Sequence, residues 1–215
     1  MLRLSVAIAT FNEEENLART LESVKDLADE IVIYDGKSTD KTVEIAKGFG
    51  AKVIVGKNYP IFHVNKQKAI DACRGDWILQ LDADEVVPPE LADEIREVIS
   101  HKPKANSQEQ INGYWMPRKN YFLGRFLMKG GQYPDYTLRL YKRGKGRLPQ
   151  KDVHEQAIVS GKVSYLKNAL LHYPYKDFAT YIKKWGRYNN LISTQIKEEL
   201  RDKTIVSKLS YGFGY

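Results

Sequence analysis

Two aspartates, Asp82 and Asp84, stand one residue apart directly behind the apolar run 77–81. An apolar run of this length predicts a buried strand, so both carboxylates would lie at the carboxyl edge of a sheet. Carboxylate oxygens suit Mg²⁺ or Mn²⁺, and a phosphate oxygen can complete the coordination shell. The pair therefore predicts a metal site able to hold a diphosphate; a solvated turn between a strand and a helix is the alternative.

Two further polar clusters follow apolar runs, at residues 10–13 and 35–40. A carboxylate at Asp35 could accept hydrogen bonds from a uracil N–H or a ribose hydroxyl, and Gly36 would let the backbone approach the ligand. Ser38, Thr39 and Asp40 have the alternative role of capping the next helix. Lys66 and Gln67 could offer a cation and an amide to a nucleotide, although such side chains more often face solvent.

The elements that must position these clusters form four strand and helix repeats in the first hundred residues. Apolar runs predict strands at 4–9, 30–35, 51–55 and 77–81, each followed by a helical pattern, at 13–25, 41–49, 64–74 and 89–100. This alternation indicates an α/β protein with a doubly wound, mostly parallel sheet and helices on both faces. Such sheets bind ligands at the carboxyl ends of their strands, where all three polar clusters fall.

Charge divides the chain into an acidic and a basic part. Residues 1–100 carry 12 Lys and Arg against 19 Asp and Glu, whereas residues 101–151 carry 12 against 2. The basic part should face an anionic partner, such as a phosphorylated glycan, a nucleotide or a membrane surface, or be simply a solvated basic face. The single cysteine, Cys73, lies among apolar residues and is interpreted as a buried structural thiol.

Three ordered blocks of sequence resemble a known family. Residues 6–13, 31–42 and 75–85 are similar to the nucleotide-sugar core of family 2 glycosyltransferases, which have the GT-A fold. Residues 114–124, 130–140 and 153–155 narrow the resemblance to bacterial lipopolysaccharide or lipooligosaccharide core β-1,4-glucosyltransferases. One position departs from the family pattern, because Lys37 stands where related sequences place a small residue.

The resemblance implies an inverting transfer of a hexose from a UDP-sugar to a glycan hydroxyl, with Mn²⁺ or Mg²⁺ as cofactor. The subgroup's pattern implies glucose as that hexose. Asp135 is the first candidate for the general base and Glu155 the second. Asp84 would carry most of the metal coordination, with Asp82 beside it and His154 completing the shell or packing as an ordinary histidine. The donor-binding residues implied are Ala9, Thr10, Asn12, Glu13, Asp35, Gly36, Lys66, Gln67, Asp82 and Ala83.

The basic segment would bind the acceptor through Trp115, Arg118, Lys119 and Tyr121, which combine stacking faces with cations. This suits an anionic or lipid-linked glycan. The expected organisation is a nucleotide-sugar half at 1–100, an acceptor-side half of the same domain at 101–175, and an amphipathic helix and tail at 176–215. The apolar stripe of that helix would pack on the sheet domain or lie on a membrane surface.

Other function classes remain as alternatives. A polyprenyl phosphate acceptor would need no general base, because it is already ionised. A non-catalytic nucleic-acid or membrane adaptor would use only the basic half, but the three clusters argue against a nucleic-acid partner. No apolar window approaches the length of a spanning helix, and the first apolar run is too short for a signal peptide. We therefore expect a cytoplasmic chain, with peripheral contact to the cytoplasmic face of the membrane as an option.

Overall fold

The structure is a computed structural model that describes residues 3–100, 110–149 and 156–183, together with 185, 186, 189 and 193. The chain divides into two compact units, residues 1–174 and 175–215. The predicted division of the first unit at residue 100 stays a prediction.

The first four strands are parallel and alternate with helices. They are β1 (Leu4–Thr10), β2 (Glu30–Asp35), β3 (Lys52–Val55) and β4 (Trp77–Leu81), and they lie in the order β3, β2, β1, β4. The helices between and after them are α1 (Leu17–Val24), α2 (Thr42–Gly48), α3 (Phe62–Asp71) and α4 (Pro89–Ser100). Parallel pairing brings the carboxyl ends of β1, β2 and β4 to one edge, as the predicted architecture requires.

The second half of the unit extends the same sheet with strands of both directions. It contributes β6 (Ile111–Phe122), β7 (Arg125–Phe126), β8 (Asp135–Lys142), β11 (Lys162–Tyr165) and β12 (Leu170–His172), following the short β5 (Glu85–Val86). Strands β9 (Gly146–Arg147) and β10 (Ile158–Val159) pair with each other in a separate two-stranded sheet. Strand β8 runs antiparallel beside β4, then β6, β12 and β5 follow in that order. Because β8 is antiparallel to β4, its first residue, Asp135, lies at the edge where β4 ends.

Helices cover both faces of the sheet. Side chains alternate along a strand, so Val6 and Ile8 of β1 join one buried cluster and Ala7 joins the other. Helix α1 packs Leu17 and Leu21 into the first cluster, and α3 packs Ala69 and Ile70 into the second. The predicted α/β architecture is confirmed.

Cys73 follows α3 and is 5% exposed, which confirms the interpretation as a buried thiol. Burial raises the pKa of this thiol to about 12, so the reactive thiolate is disfavoured.

In the second unit, residues 178–183 are helical, within the span predicted as an amphipathic helix. Phe178, Ile182 and Trp185 are each about half exposed. Among the described residues, no helix has the length and apolar character needed to cross a membrane.

Candidate active site

Thr10 and Asp35 end neighbouring parallel strands and join the first two polar clusters. The Thr10 hydroxyl donates to Asp35 Oδ2 at 2.9 Å, and Gly36 N donates to the Thr10 carbonyl at 2.9 Å. Asp35 is fully buried and also accepts hydrogen bonds from the backbone N–H and the hydroxyl of Ser38, at 2.8 and 2.5 Å. Both oxygens of Asp35 therefore shape the loop that follows β2, and a direct contact between Asp35 and a nucleotide stays a prediction.

The loop after β2 and the loop after β1 are tied to each other. Asn12 N donates to Ser38 Oγ at 2.8 Å, and Thr39 N donates to Asn12 Oδ1 at 2.8 Å. Asn12 and Lys37 both have left-handed backbones, with φ of 55° and 65°. Glycine would suit position 37 better than lysine, since any residue with a Cβ is strained in this region. A Cβ on Gly36 would stand 2.9 Å from the Asn58 side chain, so the loop needs glycine at 36.

Asp82, directly after β4, is held by two cations. Lys66 Nζ lies 2.5 Å from Asp82 Oδ1, and Arg139 Nη2 lies 2.7 Å from Asp82 Oδ2. Burial by itself would raise the pKa of Asp82, but the charges of Arg139 and Lys66 outweigh it and hold that pKa well below its usual range. Asp82 is therefore a carboxylate whose charge is already balanced within the protein.

Glu85 in β5 is fully buried and links the two arginines of the site. Its Oε1 accepts from Arg139 at 2.8 Å and lies 3.3 Å from Arg118 Nη1, while its Oε2 accepts from Asp82 N at 2.9 Å. Arg139 further donates to the Gln80 side chain at 2.5 Å. A buried carboxylate is retained only when paired in this way, so Glu85 fixes the positions of both guanidinium groups.

Asp135, the first candidate for the base, accepts three hydrogen bonds on one oxygen. Arg118 donates to Asp135 Oδ2 from Nε and Nη2 at 2.9 and 2.7 Å, and Asn120 Nδ2 donates at 3.0 Å. Burial raises the pKa of Asp135, but the hydrogen bonds from Asn120 and the charge of Arg118 more than offset it and lower the pKa overall. No donor among the described residues contacts Oδ1, which is therefore the oxygen that can accept a proton.

The Asp84 carboxylate lies next to the His172 ring. His172 Nε2 is 3.6 Å from Asp84 Oδ1, and His172 Nδ1 is 2.7 Å from Asn120 Oδ1. The antiparallel pairing of β12 with β5 sets His172 opposite Glu85, and Tyr173 N donates to the Asp84 carbonyl at 2.9 Å. The chain of contacts therefore runs unbroken from Asp84 through His172 and Asn120 to Asp135.

The other predicted donor residues lie at the same edge, with different roles. Ala83 is buried, and its carbonyl accepts from Thr20 of α1 at 2.6 Å, which anchors the Asp-x-Asp turn to a helix. Ala9 pairs with Tyr34 inside the sheet, and Glu13 N donates to Thr42 Oγ1 at 2.7 Å. Gln67 joins Asp71 and Leu148 N instead of the carboxylate cluster.

The four predicted acceptor residues lie along β6 but meet different neighbours. Arg118 joins Asp135 in the network. Trp115 stacks on Tyr165 with ring centroids 6.4 Å apart, and Lys119 lies over the Tyr133 ring at 5.9 Å. Tyr121 packs on two aromatic rings, those of Phe126 and Tyr173. The structure therefore brings only Arg118 of the four into contact with the candidate base.

The sequence did not point to Arg139, Glu85 or Asn120 as site residues, and His172 reads in the sequence as the end of a strand. Their signals were weak, since Arg139 sits within the apolar segment 138–141 and Asn120 within a mixed one. The predicted residues His154 and Glu155 lie outside the described residues. Within the described ranges, no group of three or more His, Cys, Asp or Glu side chains forms a ready metal site.

Comparison with known proteins identifies relatives for most of the chain. A family profile described as Glycosyl transferase family 2 matches residues 5–170. The chain is 30% identical over 206 residues to LpsC of Rhizobium meliloti, a lipopolysaccharide core biosynthesis glycosyltransferase, with 90% of this chain and 72% of LpsC covered. It is 45% identical over 100 residues to an uncharacterized glycosyltransferase of Rickettsia typhi, where 46% of this chain and 34% of the relative are covered.

A solved structure confirms the type of fold. The crystal structure of S. aureus TarS 1–349 in complex with UDP superposes with a TM-score of 0.60 at 16% identity, covering 80% of this chain and 60% of that chain. The GT-A type α/β fold that the resemblance implied is therefore confirmed. The chain spans about a third of the length of the Rickettsia typhi relative and 60% of the TarS chain.

Proposed function

The chain belongs to glycosyl transferase family 2, and on this premise we propose that it transfers a hexose from a UDP-sugar to a hydroxyl of an anionic cell-envelope glycan. The observation that carries the proposal is the single network that joins the Asp-x-Asp turn to Asp135. TarS was solved with UDP, which supports the nucleotide. LpsC is named for lipopolysaccharide core biosynthesis, which supports the acceptor class. Glucose as the sugar rests on the subgroup resemblance alone.

Asp84 and His172 fit a divalent cation better than Asp82 does. Both side chains are partly exposed, at 18% and 16%, and their polar atoms lie 3.6 Å apart, whereas both oxygens of Asp82 are engaged by cations. One carboxylate and one imidazole leave several positions for phosphate oxygens and water, as Mn²⁺ or Mg²⁺ requires. When bound, the cation would offset the charge that builds on the departing UDP.

The remaining residues bind and orient the substrates. Of the two cations that hold Asp82, Lys66 is the more exposed, at 18% against 9% for Arg139, so it can turn from Asp82 toward a diphosphate. Asp135 would take the proton of the attacking hydroxyl on Oδ1, while Arg118 and Asn120 hold Oδ2. A base on the face opposite the diphosphate gives inversion by a single displacement. Glu155 stays the alternative base.

One observation favours a second acceptor. The lowered pKa of Asp135 weakens it as a base, and a polyprenyl phosphate needs no base because its oxygen is already ionised. If that acceptor is correct, replacing Asp135 by Asn should leave turnover nearly unchanged. A strong loss of turnover would support the hydroxyl acceptor.

Calorimetric titration of UDP and UDP-glucose tests the donor site. The titrations are made with Mn²⁺, with Mg²⁺ and with EDTA, on the wild type and on Asp84→Ala. Asp93→Ala serves as the matched control, because Asp93 is 75% exposed and its carboxylate pairs with Arg96 of its own helix, outside the site. We expect metal-dependent binding that Asp84→Ala abolishes and Asp93→Ala retains. Absence of UDP binding under every metal condition would remove the proposal.

A further inference from the structure

The side-chain amide of Asn120 contacts both Asp135, the candidate base, and His172, the neighbour of Asp84. Its Nδ2 lies 3.0 Å from Asp135 Oδ2, and its Oδ1 lies 2.7 Å from His172 Nδ1. The backbone sets both contacts, because β12 pairs His172 directly with Asn120 and β8 pairs Asp135 with Arg118, two residues earlier on β6. Residues two apart on a strand share a face, so Asn120 and Arg118 approach Asp135 from the same side.

The chemistry of these three groups fixes where the protons lie. An ionised carboxylate only accepts hydrogen bonds, so the side of the amide that faces Asp135 must be the NH₂ group. The amide carbonyl oxygen then faces His172, and an oxygen without a hydrogen can only accept. His172 Nδ1 must therefore carry a hydrogen. In the neutral ring, the lone pair is left on Nε2, the atom 3.6 Å from Asp84.

We propose that Asn120 is a positioning residue that holds His172 in the Nδ1–H tautomer, so that Nε2 and the Asp84 carboxylate together form the protein's side of a divalent cation site. The same amide holds Asp135, so base and cation site share one support. The identity of Asp135 as a base rests on the proposed function, whereas the tautomer and its dependence on Asn120 do not. A hydrogen bond to the second ring nitrogen is the usual means by which proteins orient a metal-binding histidine.

Other side chains at position 120 would not satisfy both neighbours. Asp at this position would set a carboxylate against Asp135, and Leu would remove both hydrogen bonds without adding charge. Gln carries the same groups on a longer stem, which would displace them by about one bond length. Asn120→Leu is therefore the informative variant. Asn112→Leu is the matched control, because Asn112 lies on the same strand and donates to the Ser160 carbonyl at 2.8 Å, outside this network.

The tautomer can be measured by ¹⁵N NMR of the histidine rings without metal, donor or activity. The spectra are recorded at about pH 8.5, where an ordinary imidazole is neutral, and His172→Gln identifies the His172 signals among the four histidines. We expect wild-type His172 to be predominantly the Nδ1–H tautomer, Asn120→Leu to shift it toward Nε2–H, and Asn112→Leu to leave it unchanged. A wild-type ring that is predominantly Nε2–H overturns the inference, even if the Asn120 variant does not fold.

Mn²⁺ affinity, followed by electron paramagnetic resonance with and without UDP, tests the cation site. Loss of an outer hydrogen-bond partner typically lowers metal affinity about 10 to 100-fold, so this drop is expected for Asn120→Leu and not for Asn112→Leu. Equal Mn²⁺ affinity in the wild type and Asn120→Leu would overturn the inference. If UDP fails to bind while the tautomer and Mn²⁺ affinity behave as expected, the proposed function falls and the positioning role stands. If UDP binds but the tautomer is Nε2–H, only the positioning role falls.

Discussion

Asp82 and Asp84 are one residue apart, yet their neighbours give them different chemistry. Asp82 is paired with Lys66 and Arg139, so its negative charge is balanced by cations of the protein. Within the part of the chain that the structure describes, the one ion pair of the Asp84 carboxylate is that with His172, so Asp84 keeps coordination capacity. The difference arises because Asp82 directly follows β4, which pairs with the Arg139 strand β8, while Asp84 directly precedes β5, which pairs with the His172 strand β12.

Replacing Asp135 by Asn should separate the base from the donor site. Asn keeps the shape but cannot take a proton, so turnover should fall about 100-fold or more, the usual scale of general-base loss. UDP affinity should stay the same, because Asp135 lies on the acceptor side. Because the pKa of Asp135 is lowered, the wild-type rate should decline with acid only below the ordinary carboxyl range.

Steady-state kinetics and UDP calorimetry on Asp135→Asn check this expectation, with Asp93→Asn as control. An unchanged turnover number would contradict the role of Asp135 and direct attention to Glu155 or to a polyprenyl phosphate acceptor.

Lys37→Gly should stabilise the protein. A residue with a side chain in the left-handed region costs about 1–2 kcal/mol in the free energy of unfolding, which glycine would restore. The greater freedom of glycine in the unfolded chain offsets roughly half of that gain. Lys37 has φ of 65°, so we expect a gain of about 0.5–1 kcal/mol in the free energy of unfolding, measured by urea denaturation.

The reverse change supplies the control. Gly50 has φ of 71° and open space at its Cβ position, so Gly50→Ala should lose stability through backbone strain alone. Two changes of the same sign would argue against backbone strain as the cause.

At the scale of elements, β5 is a two-residue strand that holds the two halves of the sheet together through Glu85. Glu85→Ala should be strongly destabilising, because it removes the fully buried carboxylate that Arg139 and Arg118 share and leaves them only the more exposed Asp82 and Asp135. Breaking a buried ion pair in this way typically costs about 3–5 kcal/mol, which urea denaturation would measure. Glu22→Ala is the matched control, since Glu22 is 59% exposed and pairs only with Lys25. A loss no larger than in the control would contradict this role.

The first half of the sheet was predictable from the sequence, and the second half was not. Strands β1, β2 and β4 are continuous apolar runs separated by helical patterns, so their type and order follow from periodicity. Strand β6 carries Arg118 and Asn120 because one of its faces lines the site. Its polar residues obscure the strand pattern, and its position between β8 and β12 depends on pairing across long sequence separations.

Site residues could be predicted from the sequence where a local pattern marks them. Asp82, Asp84 and Asp135 stand at strand ends or in recognisable motifs. The roles of Arg139 and His172 depend on Asp82 and Asp84, which lie 57 and 88 positions away in the sequence. Nothing local in the sequence marks those pairings.

At the scale of the whole molecule, the excess of basic residues and the exposed apolar side chains of the second unit suggest a negatively charged surface as partner. Phe178, Ile182 and Trp185 are about half exposed and stand among lysines at 176 and 183. We expect binding to vesicles that contain anionic lipid, weakening as salt rises, because exposed charges are screened.

Co-sedimentation with anionic and neutral vesicles checks this expectation. Trp185→Ser should reduce binding to anionic vesicles, and Trp77→Phe, a change in the buried core, should not. Equal binding to neutral vesicles would contradict an electrostatic attraction.

The pairing of β12 with β5 joins residues 171 and 172 to residues 86 and 85. A ribosome synthesises chains from the amino terminus, and domains generally fold in that order. Residues 4–81, which contain the four parallel strands, are synthesised early. His172 follows Asp84 by 88 positions, so the two side chains can meet only after this later part of the chain has left the ribosome. We therefore expect the contact between Asp84 and His172 to form only near the end of translation of the first unit.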